Sequence, residues 1–211
     1  MRQMSTEAYS ALTNDAALLE QDSHGPKVLR LADGSFFKLF RRKRLVSSEA
    51  FYPYAKRFAD NAKALKRLDI PAPEIIQVYR IDQPQRTAVH YAGLPGVTLR
   101  QAMLDADGDA RHALAEQFGC LLGKLHQKGV YFRSLHLGNV LLLPDGALGL
   151  IDFADMHVER DSLSTAKRRR NLKHMQRYED DRRWLFEECL EALARGYARC
   201  SDTRLPLLQT T

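Results

Sequence analysis

The sequence predicts an α+β fold, with a small β-rich N-terminal part that holds one helix and a mainly helical C-terminal part. Three observations lead to it. From Lys27 to Tyr91, short apolar runs are punctuated by turn residues, which is strand-and-hairpin patterning. Residues 53–68 and 110–128 carry apolar residues at spacings of three and four, the signature of amphipathic helices. Between Tyr131 and Asp155 a polar loop leads into a tight hairpin, with Val140 to Leu143 and Ala147 to Ile151 around a Pro144-Asp145-Gly146 turn. That hairpin brings Asn139 and Asp152 to one end, an amide oxygen beside a carboxylate, and such a pair suits a hard divalent cation carrying phosphates.

The totals set limits. At 211 residues the chain can bury a core as one domain, or one domain of two lobes. No apolar run is long enough to span a bilayer, and residues 1–7 lack the apolar core of a signal peptide. Cys120, Cys189 and Cys200 are odd in number and lack metal-ligand spacing, which predicts reduced thiols in the cytoplasm. The net charge of +6 favours anionic partners. The basic runs have no interleaved aromatic stacking pattern, which argues against nucleic acid.

Taken in order, residues 1–24 are mixed and polar, with a weak helical pattern at Ala8, Leu12 and Leu19, and are expected to be an N-terminal extension. Val28 to Leu31 and Phe36 to Phe40 read as a hairpin around Asp33-Gly34, with Lys38 in the middle of its second strand. Only Gly25 precedes it, so a glycine-rich loop is barely present. The run Arg41 to Arg44 reads as a solvated turn or as an anion-contacting patch at the edge of the small lobe. Pro53 opens the first helix, whose apolar face of Tyr54, Phe58, Leu65 and Leu68 is interrupted by Asn61. Glu74 to Ile81 and Arg86 to Tyr91 read as strands about a Gln83-Pro84 turn.

Thr98 is a candidate N-cap for a short helix to Leu104. Asp105 to Asp109 reads as a polar turn, because it is short and lacks the downstream Glu of a calcium loop. Gly129 closes the helix 110–128 and delivers the chain into the loop at Tyr131. From Arg160 to Arg183 there are nine Lys and Arg against four Asp and Glu. Residues 167–178 are helical in propensity, and Asp181 to Tyr197 reads as a last helix. The tail from Ser201 reads as frayed.

Arg133-x-Leu135-His136-x-Gly138-Asn139-Val140-Leu141 followed by Ile151-Asp152-Phe153 resembles the H-x-D-L-H-x-G-N-(I/V)-L … (I/V)-D-F pattern of small-molecule kinases. Gly96-Val97-Thr98-Leu99 and Arg170-Asn171-Leu172-Lys173-His174 extend the likeness. The family it resembles is that of the bacterial lipopolysaccharide core-sugar kinases (Kdo and heptose kinases), with the related short "toluene tolerance" proteins. The resemblance implies a two-lobed protein-kinase-like fold: an N-lobe over 25–92, a hinge over 93–97, a C-lobe over 98–200 and a tail over 201–211. It also implies ATP and Mg as cofactors. Asn139 and Asp152 become the metal ligands, and Lys38 the contact to the nucleotide phosphates. The lysine's partner on the first helix is then Asn61, or Glu49 just ahead of that helix.

One departure bears on activity. Ser134 stands where the family carries its catalytic Asp, and Phe132 where it carries the first His. A serine cannot take up a proton usefully at neutral pH, so His136 and Asp155 become the candidate replacement bases. Two functions follow. One is a kinase acting on an anionic sugar or glycolipid acceptor, with the basic segment 160–183 capturing it near the inner membrane. The other is a pseudokinase, a nucleotide-binding module that regulates or scaffolds an envelope-biosynthesis partner.

Overall fold

A computed structural model describes residues 1–41, 52–82 and 86–206. The chain forms two compact units, Met1–Lys66 with Ala72–Leu94, and Arg67–Pro71 with Pro95–Thr211. The fold is mixed α and β, with a β-rich sheet in the first unit and most of the helix in the second.

The first unit is a six-stranded sheet of β1 (Arg2–Met4), β2 (Ala17–Asp22), β3 (Gly25–Arg30), β4 (Phe36–Arg41), β5 (Glu74–Ile81) and β6 (Arg86–Ala92). Its order is β1-β5-β6-β4-β3-β2, antiparallel except where β1 runs parallel to β5. Period-two alternation along β4 sends Phe37 and Leu39 to one face and Phe36, Lys38 and Phe40 to the other. On the first face Phe37 and Leu39 join Met4, Leu29, Leu31, Ile81 and Ala88, and Tyr9 and Leu12 of α1 (Thr6–Thr13) pack onto them. On the second, α2 (Tyr54–Arg67) sets Phe58 against Phe40 and Tyr91, with ring centroids 6.2 and 5.5 Å apart.

Residues 1–24, expected as a polar extension, therefore supply two strands and a helix to this unit. Their signal in the sequence is faint because every residue of β2 is exposed and α1 offers few apolar residues. Burial comes from pairing and packing that local pattern does not reveal.

The second unit contains β7 (Val97–Thr98), α3 (Leu99–Asp105), α4 (Gly108–Gln127), β8 (Val130–Phe132), β9 (Val140–Leu142), β10 (Leu148–Leu150) and β11 (Met156–Val158). It is completed by α5 (Thr165–Met175), α6 (Glu179–Arg182) and α7 (Leu190–Arg199). Thr98 and Asp107 cap α3 and α4 by accepting from Gln101 N and Ala110 N. The α4–α7 crossing is so close that a Cβ at Gly196 would collide with the Glu116 carbonyl oxygen.

Two expectations are corrected here. The last helix is not continuous from Asp181 to Tyr197: a wide π-type turn over Arg183–Glu188 separates α6 from α7. Its Cys189 N–H bonds to Trp184 O, and Trp184 and Leu185 stay buried there. Nor are the three thiols all reduced. Cys120 on α4 and Cys200 after α7 form a disulfide, leaving Cys189 as a buried free thiol. The close helix crossing, not spacing in sequence, brings residues 80 apart together. The cysteine-based argument for a reducing compartment therefore lapses.

The described part of the tail, residues 201–206, is held in place: Arg168 Nη1 reaches Ser201 Oγ and Thr203 Oγ1 at 2.9 and 2.7 Å, and Leu205 is buried. Among the described residues no helix is long and apolar enough to cross a membrane.

Candidate active site

The site grows from two short ladders, one nested inside the other. Two residues past the end of α4 comes Gly129, whose φ of +71° sits in the left-handed region. A Cβ there would run into the carbonyls of Asp161 and Glu159, so glycine is required as the chain turns into β8. β8 pairs antiparallel with β11, and Phe132 stands opposite Met156. The next residues outward, Arg133 and Asp155, thus face each other where the ladder ends. Ser134 Oγ donates to Asp155 Oδ1 at 2.7 Å, and Arg133 Nε lies 3.4 Å from Oδ2.

The inner ladder is the predicted hairpin, β9 against β10, with Val140 opposite Leu150. Ile151 N–H continues it by donating to Asn139 O at 3.0 Å, which brings Asp152 to the same end as Asn139. Asn139 is buried and its Nδ2 donates to Ser134 O at 3.0 Å, so its Oδ1 is the atom suited to a cation. Asp152 has φ +53°, an uncommon conformation for a residue with a side chain. The pair offers oxygen donors only. No group of three or more His, Cys, Asp or Glu that could hold a metal occurs among the described residues. Hard oxygen donors of this kind are the type that magnesium takes.

His136 sits inside the loop. Its Nδ1 accepts from Gly138 N at 3.0 Å, so Nε2 carries the proton of the neutral ring. The ring packs on Tyr178 at 4.3 Å. Burial pushes its pKa down and the Arg100 charge adds to that, while Asp181, Asp152 and Asp155 pull it up.

Sequence reading passed over Asp181. It is fully buried, accepts from Leu137 N at 2.8 Å, and pairs with Arg100 on α3 at 2.7 Å. One carboxylate thus anchors the loop backbone to two helices. Within Glu179-Asp180-Asp181 nothing marks it out, since acids at a helix start are expected for the dipole alone.

Behind β8 lies a second buried network. Arg168 Nη1 donates to Tyr197 OH at 2.8 Å, which lies 2.9 Å from His126 Nδ1. His126 Nε2 lies 3.1 Å from Asn171 Oδ1, and Asn171 Nδ2 donates to Phe132 O at 2.8 Å. Every member has a consistent donor or acceptor role when His126 is neutral. Burial accordingly lowers its pKa to about 4, with Arg168 adding and the Asn171 bond opposing. This network docks α5 against the strand that leads into Ser134.

Lys38 and Asn61 lie in the first unit. Both are only 9% exposed, and both are on the α2-covered side of the sheet, where Lys38 Nζ lies 5.9 Å from the Phe40 ring centroid. Glu49 and residues 42–44 of the basic run lie outside the described residues, as does the Gln83-Pro84 turn.

Asn139 and Asp152 thus stand at one end of a hairpin, and the loop before it is tied to the buried Asp181. The family model described as "Lipopolysaccharide kinase (Kdo/WaaP) family" matches residues 38–197. The chain belongs to that family, a kinase family, and kinase membership implies use of ATP. Among curated proteins no match was found.

Proposed function

We propose that the chain is an ATP-dependent kinase of two-lobed protein-kinase-like fold, which phosphorylates a hydroxyl of an anionic core sugar or glycolipid with Asp155 as its base. The observation that carries this reading is the 2.7 Å bond from Ser134 Oγ to Asp155. It puts a carboxylate beside the position where the family keeps its catalytic Asp. Asn139 and Asp152 are the proposed magnesium ligands, and the metal would supply charge neutralisation on the phosphate oxygens. Lys38 keeps the role of phosphate contact that the family resemblance gives it, with Asn61 or Glu49 as its partner.

In the proposed step the acceptor hydroxyl gives its proton to Asp155 as its oxygen bonds to the γ-phosphorus. The bond to the β–γ bridging oxygen breaks and ADP leaves. His136 holds the loop, since its Nδ1 lone pair is already used by Gly138 N–H. A positioned base is worth about 10²–10⁴-fold, while most of the catalysis rests on positioning and charge. Such a reaction belongs to the cytoplasmic side of the inner membrane, where ATP is found.

The serine at position 134 also favours the second reading, a pseudokinase that binds nucleotide and scaffolds an envelope-biosynthesis partner. Transfer separates the two. Purified protein given Mg-ATP and delipidated core oligosaccharide is expected to pass labelled phosphate to the sugar, and Asp152→Ala to abolish this. Mg-ATP binding without transfer to any core fragment would leave the pseudokinase.

A further inference from the structure

Helices α4 and α7 cross at glycines. A Cβ at Gly119 would collide with Leu193 O, and one at Gly123 would press on Tyr197 O. The crossing sets the Cα atoms of Cys120 and Cys200 5.0 Å apart, and the two sulfurs are bonded there. Both of these cysteines are partly exposed, whereas Cys189 is buried. Reagents in solvent therefore reach the bonded pair and not the third thiol.

The bond joins residues 80 apart, and the chain between them carries Ser134, Asn139, Asp152, Asp155 and Asp181. It also ends on the buried network behind β8. Arg168 Nη1 reaches Tyr197 OH ahead of Cys200, and Ser201 Oγ and Thr203 Oγ1 after it. From Tyr197 the network runs through His126 and Asn171 to Phe132 O, two residues before Ser134. A further tie on the same stretch, Gln127 Nε2 to Asp202 Oδ2, is exposed and competes with water. The covalent link is thus the firmest hold on residues 200–203.

A kinase works where ATP is found, and there thiols are kept reduced. A disulfide in such a compartment is transient and redox-sensing rather than a permanent staple. Resting on the kinase reading above, we propose that Cys120 and Cys200 are a reversible oxidation site, whose state sets how firmly residues 201–206 and, through Arg168 and Asn171, strand β8 are held. The reductant is a low-molecular-weight thiol of the glutathione class. Its thiolate attacks one sulfur, breaks the Cys120–Cys200 bond and leaves a mixed disulfide beside one cysteine thiolate. A second thiolate of the reductant displaces the other cysteine. Two electrons pass to the protein, the protons of the two attacking thiols end on Cys120 and Cys200, and the reductant leaves as its own disulfide. Oxidation runs the same exchange backwards.

The test equilibrates the full chain in glutathione buffers of graded reduced-to-oxidised ratio, blocks thiols with a maleimide and reads each cysteine by peptide mass spectrometry. Cys120 and Cys200 should pass together from bonded to labelled and back, while Cys189 stays unlabelled and the chain stays folded. Amide exchange of the reduced form should be about tenfold faster over 201–206, with a smaller rise over β8. Cys200→Ser and Cys120→Ser should each show that faster pattern in every buffer. A bond that survives the reducing buffers until the chain unfolds overturns the proposal, and so do thiols that stay unbonded in the oxidising ones. Exchange over 201–206 that is the same in both states, or a change that never reaches β8, overturns the coupled switch. A thermal shift with Mg-ATP on the same samples judges the kinase reading separately, since its failure leaves the cysteine titration as it stands.

Discussion

The β9–β10 hairpin is built differently at its two ends. At the turn end Gly146 adopts φ +83°, nothing lies within reach of a Cβ, and Asp145 Oδ1 accepts from Ala147 N. At the other end Asp152 adopts φ +53° with a full side chain. Both ends need a left-handed residue. Glycine serves where geometry is the only demand, and a carboxylate replaces it where the proposed chemistry needs an oxygen ligand. A left-handed non-glycine residue costs roughly 1–2 kcal/mol, less for Asp, whose short polar side chain bonds locally. On the proposed reading, that cost at Asp152 is met for the sake of the oxygen ligand.

The sharpest way to break the contrast is Asp152→Gly. Phosphate transfer and Mg-dependent stabilisation by ATP should both vanish, while the variant without nucleotide still unfolds cooperatively in urea. A large loss of stability would mean that the carboxylate is there for folding.

Acid separates the ends less drastically. The loop at the site end hangs from β8, and β8 from Asn171 and His126. His126 has its folded pKa lowered to about 4, so the unfolded chain takes up that proton first. The stabilisation is therefore complete above pH 6.5 and is lost as pH falls towards about 4. Its full size is roughly 3 kcal/mol. Urea unfolding at a series of pH values should show this slope, and His126→Gln should flatten it. The smallest effect belongs to the turn end, where Gly146→Ala should cost about 1 kcal/mol and leave transfer unchanged.

The same contrast explains what could be read from the sequence. The hairpin was legible because Pro144-Asp145-Gly146 fixes its turn, and with the turn comes the register that joins Asn139 to Asp152. Helices α2 and α4 were legible from their apolar stripes. The outer ladder was not: β8 and β11 are three residues each, and β8 is buried throughout, so neither shows a usable alternation. Without that pairing Asp155 is only one of two candidate bases beside His136, and its bond to Ser134 stays hidden. Asp181, the Cys120–Cys200 disulfide and the strands of residues 1–24 were missed for a related reason. Each depends on contacts between segments far apart in sequence, which local composition does not record.

The most direct test of the relocated base is Asp155→Asn, which keeps the shape and a hydrogen bond to Ser134 but removes the proton acceptor. Steady-state transfer from Mg-ATP to core oligosaccharide should fall by about 10²–10⁴-fold, with Mg-ATP affinity unchanged. A variant that transfers phosphate as fast as the parent would show that Asp155 is not the base.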